Sequence, residues 1–522
     1  MKCKLWITII LLCFIMSGCQ RNGNGSNPVA ETDISVPGIQ SPTAASKSGA
    51  GDNDEDGAVR EITYMYPWYG TIPRGIPDVE AAINEITVPK INTRVTLKPV
   101  SASTFSQQLS LSMTSQETID LVTVPNDFMQ MLSRNQCMDM TELIQTRGQG
   151  ILDAVGEFIN GTKRNGRIYG VTVMGGKATS PHLLMRTDLL EETGVDIHQI
   201  IPVSAFGEMG HNLEVVEQIF DSVRAAHPEV EILINSFGES RLESLIGYDS
   251  MGDELGVLMD GESYNIENLY ASDEFRQVVA LAIRWREKGY MMKDAAMNTA
   301  ASGSIHLAGN SFCDLARTQQ GVEAQYKQTT GYDFTAVQLR TPLLYTGQDV
   351  LTVNVLPVLC REPEAAMDFL NLMYTDRDIV NLLAYGVEGI HYRFLPNGTV
   401  DYPEGVNAQN SDYPCSQTWL FGNGLLDYVK VGNVPELYEI QARNNETARR
   451  SCAFGFMYDN TPVQTQVAAC LKVVAEYKEG LLTGALDMSK LKEFNDKLTA
   501  AGIDDILEEK QRQLEEWRKE NI

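Results

Sequence analysis

The sequence predicts an α/β protein that is built from more than one lobe. From about residue 60 onward, short β-branched and aromatic runs alternate with amphipathic helical stretches, a pattern typical of sheets whose strands are joined by helices. The chain has 522 residues, which is more than a single hydrophobic core usually holds. Hydrophobic residues make up 43 % and charged residues 21 %, as in an ordinary globular protein. We therefore expect two or three lobes.

The first predicted lobe begins with strands and helices in strict alternation, which favours a parallel sheet. A loop, Pro67–Gly70, is predicted directly after the first strand. The predicted elements are a strand over 61–66, a helix over 78–86, a strand over 94–100, a helix over 105–113 and a strand over 119–124.

The middle of the chain continues the alternation. Ser272 is predicted to cap a helix, and Thr375 is predicted to cap another. The predicted elements are helices over 213–226, 273–288, 364–374 and 376–385, and strands over 231–235, 304–308 and 350–359.

The C-terminal part differs in composition. Residues 386–460 are rich in Tyr, Asn, Gly and Pro, so loops are expected there. A helix is predicted over 467–482, and a final amphipathic helix follows Gly502. The last helix has one apolar face and an opposite side of Glu, Lys, Arg and Gln, and we expect the apolar face to pack on the protein itself. That face carries Ile503, Ile506, Leu507, Leu514 and Trp517.

The N-terminus has the pattern of an export signal. Two lysines precede a short apolar run, Leu5–Met16, which is too short to span a bilayer. The following Met16–Ser17–Gly18–Cys19 resembles a bacterial lipobox, which predicts a signal peptide over 1–18 and lipidation of Cys19. Ordinary secretion with cleavage is the alternative. Residues 19–59, rich in Gly, Ser, Asn and Pro, are expected to form a flexible tether between a membrane anchor and the globular body.

Charge and motif content narrow the functional classes. The net charge of −27 opposes binding to nucleic acid or to an anionic membrane surface. The sequence lacks the H-E-x-x-H, G-x-S-x-G, P-loop and G-x-G-x-x-G motifs, and its histidines show no metal-ligand spacing. The nine cysteines are scattered without a C-x-x-C pair. We therefore predict no cofactor, no metal site and no enzymatic activity.

Aromatic and acidic residues follow two of the predicted strands. Trp68 and Tyr69 come after the first strand, and Asp127 and Phe128 come after the third. Ligands of open α/β sheets bind beyond the carboxyl ends of strands. An aromatic ring beside a carboxylate suits a sugar, because the ring covers a C–H face while the acid accepts hydroxyl protons. The alternative is that Trp68 and Tyr69 pack between lobes.

Several segments together resemble a known family. The segments are Gly166–Val171, Leu183–Leu190, Tyr385–Tyr392, Phe454–Asp459 and Ala501–Ile506. They resemble the family 1 extracellular solute-binding lipoproteins of bacterial ABC importers, in the subgroup with an added C-terminal domain of unnamed function.

The resemblance implies a periplasmic-binding-protein-like fold of type II, in which two α/β lobes are joined by a hinge and a mostly α-helical C-terminal region is added. Lobe one would take residues 60–172 and 348–385, lobe two 173–347 and the C-terminal domain 386–522. It also implies further ligand contacts at Phe312 and Asp314, which follow the predicted strand over 304–308, and at Trp419 and Asn423.

The function implied by the resemblance is binding without chemistry. The protein would bind an oligosaccharide between its lobes and deliver it to the membrane-embedded permease of an importer, on the outer face of the cell membrane. Three alternatives stay open at this stage. They are a binding protein for a peptide or other non-sugar ligand, a surface glycoside hydrolase that uses two carboxylates, and an adhesin or scaffold without a small ligand.

Overall fold

A computed structural model describes residues 58–234, 242–298, 300–348, 350–414 and 417–521. The predicted signal peptide, Cys19 and the tether up to residue 57 lie outside this part of the chain. The described part contains seventeen strands. They are β1 (Arg60–Trp68), β2 (Thr93–Ser101), β3 (Leu121–Pro125), β4 (Lys163–Arg164), β5 (Arg167–Ile168), β6 (Val171–Thr172), β7 (Ser180–Arg186), β8 (Glu231–Leu233), β9 (Tyr248–Asp249), β10 (Leu258–Met259), β11 (Ser311–Thr318), β12 (Phe334–Gln338), β13 (Leu343–Leu344), β14 (Thr352–Val355), β15 (Arg393–Phe394), β16 (Val400–Asp401) and β17 (Arg449–Arg450).

Sixteen α-helices accompany these strands in the same described residues, and none of them combines the length and the apolar composition of a membrane span. They are α1 (Ile76–Ile91), α2 (Phe105–Ser115), α3 (Phe128–Ser133), α4 (Thr141–Arg147), α5 (Gln149–Val155), α6 (Thr187–Thr193), α7 (Gly210–Ala226), α8 (Asp273–Glu287), α9 (Ser302–Leu307), α10 (Val322–Thr330), α11 (Pro363–Thr375), α12 (Arg377–Tyr385), α13 (Leu437–Thr447), α14 (Gln464–Leu482), α15 (Met488–Ala501) and α16 (Ile503–Asn521). The predicted α/β class is confirmed.

Two mixed sheets define two lobes. The sheet of lobe one has the order β2-β1-β3-β14-β6, and the sheet of lobe two has the order β12-β7-β11-β8. In lobe one, β1 runs parallel to β2 and β3, whereas β14 runs antiparallel to β3 and β6. The predicted parallel pairing is therefore confirmed for β1, β2 and β3 and is wrong for β14. Strand β14 enters this sheet from lobe two, so no helical crossover within lobe one sets its direction.

Four local predictions need correction. Strand β1 extends through Trp68, so this residue lies in the sheet and not in the following loop. The predicted strand over 304–308 is helix α9. Strand β14 has four residues where ten were expected. Helix α12 is capped by Asp376, whose Oδ1 accepts hydrogen bonds from Asp378 N at 3.0 Å and Ile379 N at 3.2 Å, and not by Thr375.

Ser272 caps helix α8 as predicted, since its hydroxyl accepts a hydrogen bond from Phe275 N at 3.1 Å.

The C-terminal segment packs on both lobes. Tyr413, Leu420 and Phe421 are buried in the same hydrophobic cluster as β1 and α11 of lobe one. Helices α14 to α16 instead bury side chains such as Phe494 and Ile506 in the cluster of lobe two. The segment after residue 386 therefore spans the two lobes, while the predicted domain boundaries stay predictions.

Candidate functional site

Two chain crossings connect the lobes side by side. The first joins β6 to β7, and the second joins β13 to β14. Thr179 of the first crossing pairs with Leu343 at the start of the second as an isolated β-bridge. Gln348 Nε2 also donates a hydrogen bond to Lys177 O at 2.9 Å. Two adjacent extended segments of this kind can absorb the dihedral changes of a hinge.

Helix α13 braces the first crossing through one side chain. Asn445 Oδ1 accepts hydrogen bonds from Lys177 N at 2.7 Å and Ala178 N at 3.0 Å. Asn445 Nδ2 donates to Gly175 O at 2.6 Å. The C-terminal segment therefore fixes the position of the backbone at which the lobes are joined.

A cavity of about 220 Å³ lies beside this crossing. Its walls come from the first crossing, from lobe two and from the C-terminal segment, so that relative movement of these parts would change its shape. The lining residues are Met174, Gly175, Gly176, Thr318, Gln319, Gln320, Gly321, Val322, Gln325, Thr418, Trp419, Gly424, Asp427, Asn433, Leu437, Tyr438 and Gln441.

Three oxygen atoms of the lining are buried without a hydrogen-bond partner in the described part of the chain. They are Gln319 Oε1, Asp427 Oδ1 and Asn433 Oδ1. Buried polar atoms are normally paired, because an unpaired one costs about 1 to 3 kcal/mol. Three such atoms therefore lie around this one cavity.

Asp427 is the only ionisable carboxylate among the described lining residues, and it is 3 % exposed. Burial raises the pKa of Asp427 well above its usual range, while a hydrogen bond from Thr418 and the charge of Arg377 act in the opposite direction. A hydroxyl that donated to the vacant oxygen would favour the charged carboxylate.

An exposed aromatic pair stands at the rim of the cavity. Tyr69 and Trp419 are each 46 % exposed, and their ring centroids are 5.3 Å apart. Gln417 holds them together, because its Oε1 accepts from Tyr69 N and its Nε2 donates to Tyr69 O, both at 2.9 Å. Asp127 lies close enough that, together with burial, its charge raises the pKa of the Tyr69 hydroxyl. Two of the predicted site residues, Tyr69 and Trp419, are therefore in contact, and the charge of a third, Asp127, acts on Tyr69.

The other predicted residues of lobe one are buried. Trp68 is 1 % exposed and packs against Tyr413, with ring centroids 5.3 Å apart. Phe128 is 1 % exposed and lies in a hydrophobic cluster behind β3. The alternative interpretation, packing, describes Trp68 better than ligand contact, because β1 carries it into the interior.

The predicted residues of lobe two also lie in the interior of β11. Phe312 has no exposed surface and packs edge-on against Phe220, with ring centroids 6.3 Å apart. Asp314 is 1 % exposed and accepts a hydrogen bond from Tyr326 OH at 2.8 Å. The resemblance implies both residues as ligand contacts that follow a strand over 304–308, whereas the structure has a helix there and places both residues within β11.

Asn423 supports the cavity wall and does not present its amide to the cavity. Its Oδ1 accepts from Leu425 N and its Nδ2 donates to Tyr374 O, each at 3.3 Å. Its backbone forms an isolated β-bridge with Met174. Asn423 thus lies next to the cavity, and Asp427, four residues further on, carries an acceptor without a partner.

Sequence reasoning missed Gln319, Asp427 and Asn433. Amides and carboxylates are abundant in loops, and only the fold shows which of their oxygens lack a partner. The local signal that could have pointed to Asp427 is its position in the same aromatic and glycine-rich loop as Trp419. Within the described ranges, no group of three or more His, Cys, Asp or Glu side chains is arranged to hold a metal ion.

Known proteins share this two-lobed architecture. The chain is similar to the N-glycan transport solute-binding protein NgtS of Streptococcus pneumoniae, whose crystal structure aligns with a TM-score of 0.76 at 20 % identity over 88 % of this chain and 99 % of that chain. The chain has the fold of the solute-binding proteins.

Two further similarities agree with this fold. A "carbohydrate ABC transporter substrate-binding protein" of Streptococcus pneumoniae serotype 4 is 22 % identical over 488 residues, which cover 91 % of this chain and 94 % of that protein. The alginate-binding protein AlgQ2 aligns with a TM-score of 0.55 at 13 % identity over 88 % of this chain and 100 % of that chain.

The C-terminal region also has a family match. Residues 452–519 match a domain described as a domain of unknown function, DUF3502. The resemblance predicted from the sequence, including its C-terminal subgroup, is confirmed.

Proposed function

We propose that the protein is the substrate-binding component of an ABC importer and that it binds a carbohydrate in the cavity beside the hinge. The observation that carries the proposal is the set of three vacant acceptor oxygens next to the exposed pair Tyr69 and Trp419. Relatives across nearly the whole chain support it, since one is named as a carbohydrate substrate-binding protein and NgtS has been solved in complex with Man5GlcNAc.

The chemistry of the site matches a sugar. Each sugar hydroxyl can donate to one of the acceptors Gln319, Asp427 and Asn433. The C–H faces of the same sugar can pack on the rings of Tyr69 and Trp419. Asp127, close to Tyr69, would accept from a hydroxyl at the rim. These six residues form our proposed binding set.

Binding would favour a closed arrangement of the lobes. A ligand shifts an equilibrium between two conformations only by the difference in its affinity for them. The cavity walls belong to lobe two and to segments attached to lobe one, so a ligand bridging them gains contacts when the lobes approach. The closed form would then dock on the permease.

We also propose an extracellular location with attachment to the membrane through lipidated Cys19. The N-terminal pattern, with a short apolar run before Met16–Ser17–Gly18–Cys19, supports this location. The tether that follows would keep the binding body near the permease and raise its effective concentration there. Relatives are named as substrate-binding proteins and not as enzymes, which favours binding without turnover.

A ligand screen on the purified protein tests this function. Thermal unfolding is followed with manno-, fructo- and malto-oligosaccharides and with a set of short peptides. A ligand present at 100 times its Kd stabilises the folded state by about 2.7 kcal/mol, which gives a clear shift of Tm. Stabilisation by at least one oligosaccharide is the expected result. Stabilisation by peptides alone would contradict carbohydrate binding, and release of shortened sugars would contradict binding without chemistry.

A further inference from the structure

The hydrogen-bonding character of the cavity determines which sugars it can hold. The fully buried side-chain atoms of its described lining that lack a hydrogen-bond partner are all oxygens, namely Gln319 Oε1, Asp427 Oδ1 and Asn433 Oδ1. A carboxylate, sulfate or phosphate group presents only acceptors at neutral pH, so it cannot satisfy these atoms. A neutral sugar unit can satisfy them through its hydroxyl protons.

Electrostatics act in the same direction. Among the described lining residues there is no Lys, Arg or His, and Asp427 carries the only ionisable carboxylate. Arg377, whose charge acts on Asp427, does not line the cavity, so an anionic group there would be desolvated without a counter-charge in contact with it, which is strongly unfavourable. The N-terminus of α10 provides a partial positive charge at Gly321. Glu323 in its first turn already offsets that charge.

Hydrogen bonds hold two of the three acceptor groups, and the Gln319 amide packs against the first crossing. Gln319 Oε1 lies against the first crossing, since a Cβ atom at Gly176 would come within 1.8 Å of it. Asn433 Nδ2 donates to Lys430 O at 3.2 Å, which fixes the amide with its oxygen toward the cavity side. A hydrogen bond from Thr418 anchors the Asp427 carboxyl group.

We propose that this cavity selects a neutral, hydroxyl-bearing sugar unit and rejects a unit that carries a carboxylate, sulfate or phosphate. The inference rests on the proposed function and specifies its substrate class. Proteins with this fold include one named for alginate, a polyuronate, and one solved with the neutral glycan Man5GlcNAc, so the fold alone does not decide between these classes.

A neighbouring cavity contains a positive charge that could pair with an acidic sugar. It measures about 180 Å³, shares Thr318, Val322 and Gln325 with the first cavity, and is lined by Arg317. The guanidinium of Arg317 lies 5.0 Å from the ring centroid of Tyr345. If an acidic sugar bound with Arg317 as its counter-ion, the proposed selectivity would be wrong.

Calorimetric titration of the purified protein tests the inference. The neutral probes are manno-, fructo- and malto-pentaose, and the acidic probes are pentamers of mannuronate and galacturonate. We expect the neutral sugar that binds best to have at least a tenfold lower Kd than either acidic pentamer. An acidic pentamer that binds equally well or better overturns the selectivity while leaving carbohydrate binding intact. Failure of every sugar to bind contradicts the proposed function itself, and the selectivity with it.

A matched pair of variants tests whether the affinity for the neutral sugar depends on this cavity. Asp427→Asn replaces one acceptor oxygen by a donor and is expected to raise the Kd of the neutral sugar at least tenfold. The control is Asp504→Asn, which makes the same exchange at an exposed position on α16 and leaves the Kd unchanged. Unchanged affinity of Asp427→Asn overturns the role of this carboxylate. The wild-type comparison of neutral and acidic sugars stays decisive if that variant does not fold.

Discussion

Two buried polar regions of this protein differ in how their hydrogen bonds are satisfied. In the first, Lys510 of α16 is fully buried and donates to Asp253 Oδ1 at 2.5 Å, Gly256 O at 3.1 Å and Met251 O at 3.4 Å. All three protons of the ammonium group thus have an acceptor, while Asp253 Oδ2 has no partner among the described residues. In the second, the cavity beside the hinge, three acceptor oxygens have no partner among the described residues.

The two regions have different roles in our account, since the first stabilises the fold and the second forms the proposed binding site. Lys510 comes from the matched C-terminal domain, and its partners belong to lobe two, so its hydrogen bonds attach that domain to the lobe. Desolvation lowers the pKa of Lys510, and the carboxylate of Asp253 opposes that shift. The cavity instead keeps acceptors available at a cost in stability. The hydrogen bonds of Lys510 thus attach the C-terminal domain to lobe two, whereas the three unpaired oxygens at the cavity belong to the binding site that we propose.

The largest change in stability is expected when the buried ion pair of Lys510 and Asp253 is broken. Lys510→Met keeps the length of the side chain but leaves the carboxylate of Asp253 without its cation. Breaking one partner of a buried ion pair costs about 3 to 5 kcal/mol. We expect the free energy of unfolding, measured by urea denaturation, to fall by that amount while sugar affinity below the transition stays the same. Exposed Lys492→Met is the control, because its ion pair with Asp496 is solvent-exposed. If Lys510→Met and Lys492→Met lowered the free energy of unfolding equally, the buried ion pair would be no more important for stability than the exposed one.

A substitution in the cavity is expected to raise the free energy of unfolding instead of lowering it. Asp427→Asn replaces a buried carboxyl group whose Oδ1 has no hydrogen-bond partner among the described residues, so the free energy of unfolding at pH 7 should rise by about 1 to 3 kcal/mol. The pKa of Asp427 is raised on folding, so the folded state binds more protons and wild-type stability decreases as pH rises above the ordinary carboxyl pKa.

The gain from Asp427→Asn should therefore be smaller near pH 4 than at pH 7, as measured by denaturation at both values. A destabilised Asp427→Asn variant at pH 7 would show that the hydrogen bond from Thr418 to the carboxyl group outweighs the cost of its unpaired oxygen.

A smaller effect is expected at the rim. Trp419→Ala removes a half-exposed ring, so stability should change little, whereas the Kd for the sugar should rise about tenfold, or ~1.4 kcal/mol. Calorimetric titration measures the Kd, and thermal unfolding measures stability. The buried neighbour Trp68 provides the contrast, because Trp68→Ala should lower the free energy of unfolding by about 3 to 5 kcal/mol. A Trp419→Ala variant with wild-type affinity would exclude the ring from the site.

The smallest effect should come from the residue that holds the aromatic pair. Gln417→Ala removes two hydrogen bonds to Tyr69 and leaves both rings in place. We expect the Kd to rise two- to fivefold, or about 0.4 to 1 kcal/mol, because the rings must be ordered on binding. Titration of Gln417→Glu sharpens the comparison, since this variant keeps the acceptor for Tyr69 N and loses the donor. An unchanged Kd in both variants would show that the pair needs no such support.

The sequence predicted the class of the fold, and it predicted local elements wherever periodicity and caps agree. Ser272 and the apolar face of α16 are examples. It failed where the surroundings override the local pattern. Lys510 lies on the buried face of α16 with Ile506 and Leu514, although its charge assigns it to the polar side. Its pairing with Asp253 depends on a contact that spans more than 250 positions of sequence.

The candidate site was predictable only in part for the same reason. Tyr69 and Trp419 could be selected because aromatic residues in loops suit sugars. Their contact across 350 positions could not be predicted, since it depends on how the C-terminal segment packs on lobe one. The vacancy at Asp427 is a property of the folded surroundings and has no sequence signature.

The most direct test of the account is hydrogen–deuterium exchange of the protein with and without the oligosaccharide that stabilises it. Binding in the cavity predicts that the ligand slows exchange in residues 318–325 and 417–441 and in the loop around Tyr69, with smaller changes at the crossings near residues 174–179. Helix α16, held by Lys510, should exchange equally slowly in both states. Protection confined to any other surface, with residues 318–325 and 417–441 unchanged, would contradict binding beside the hinge.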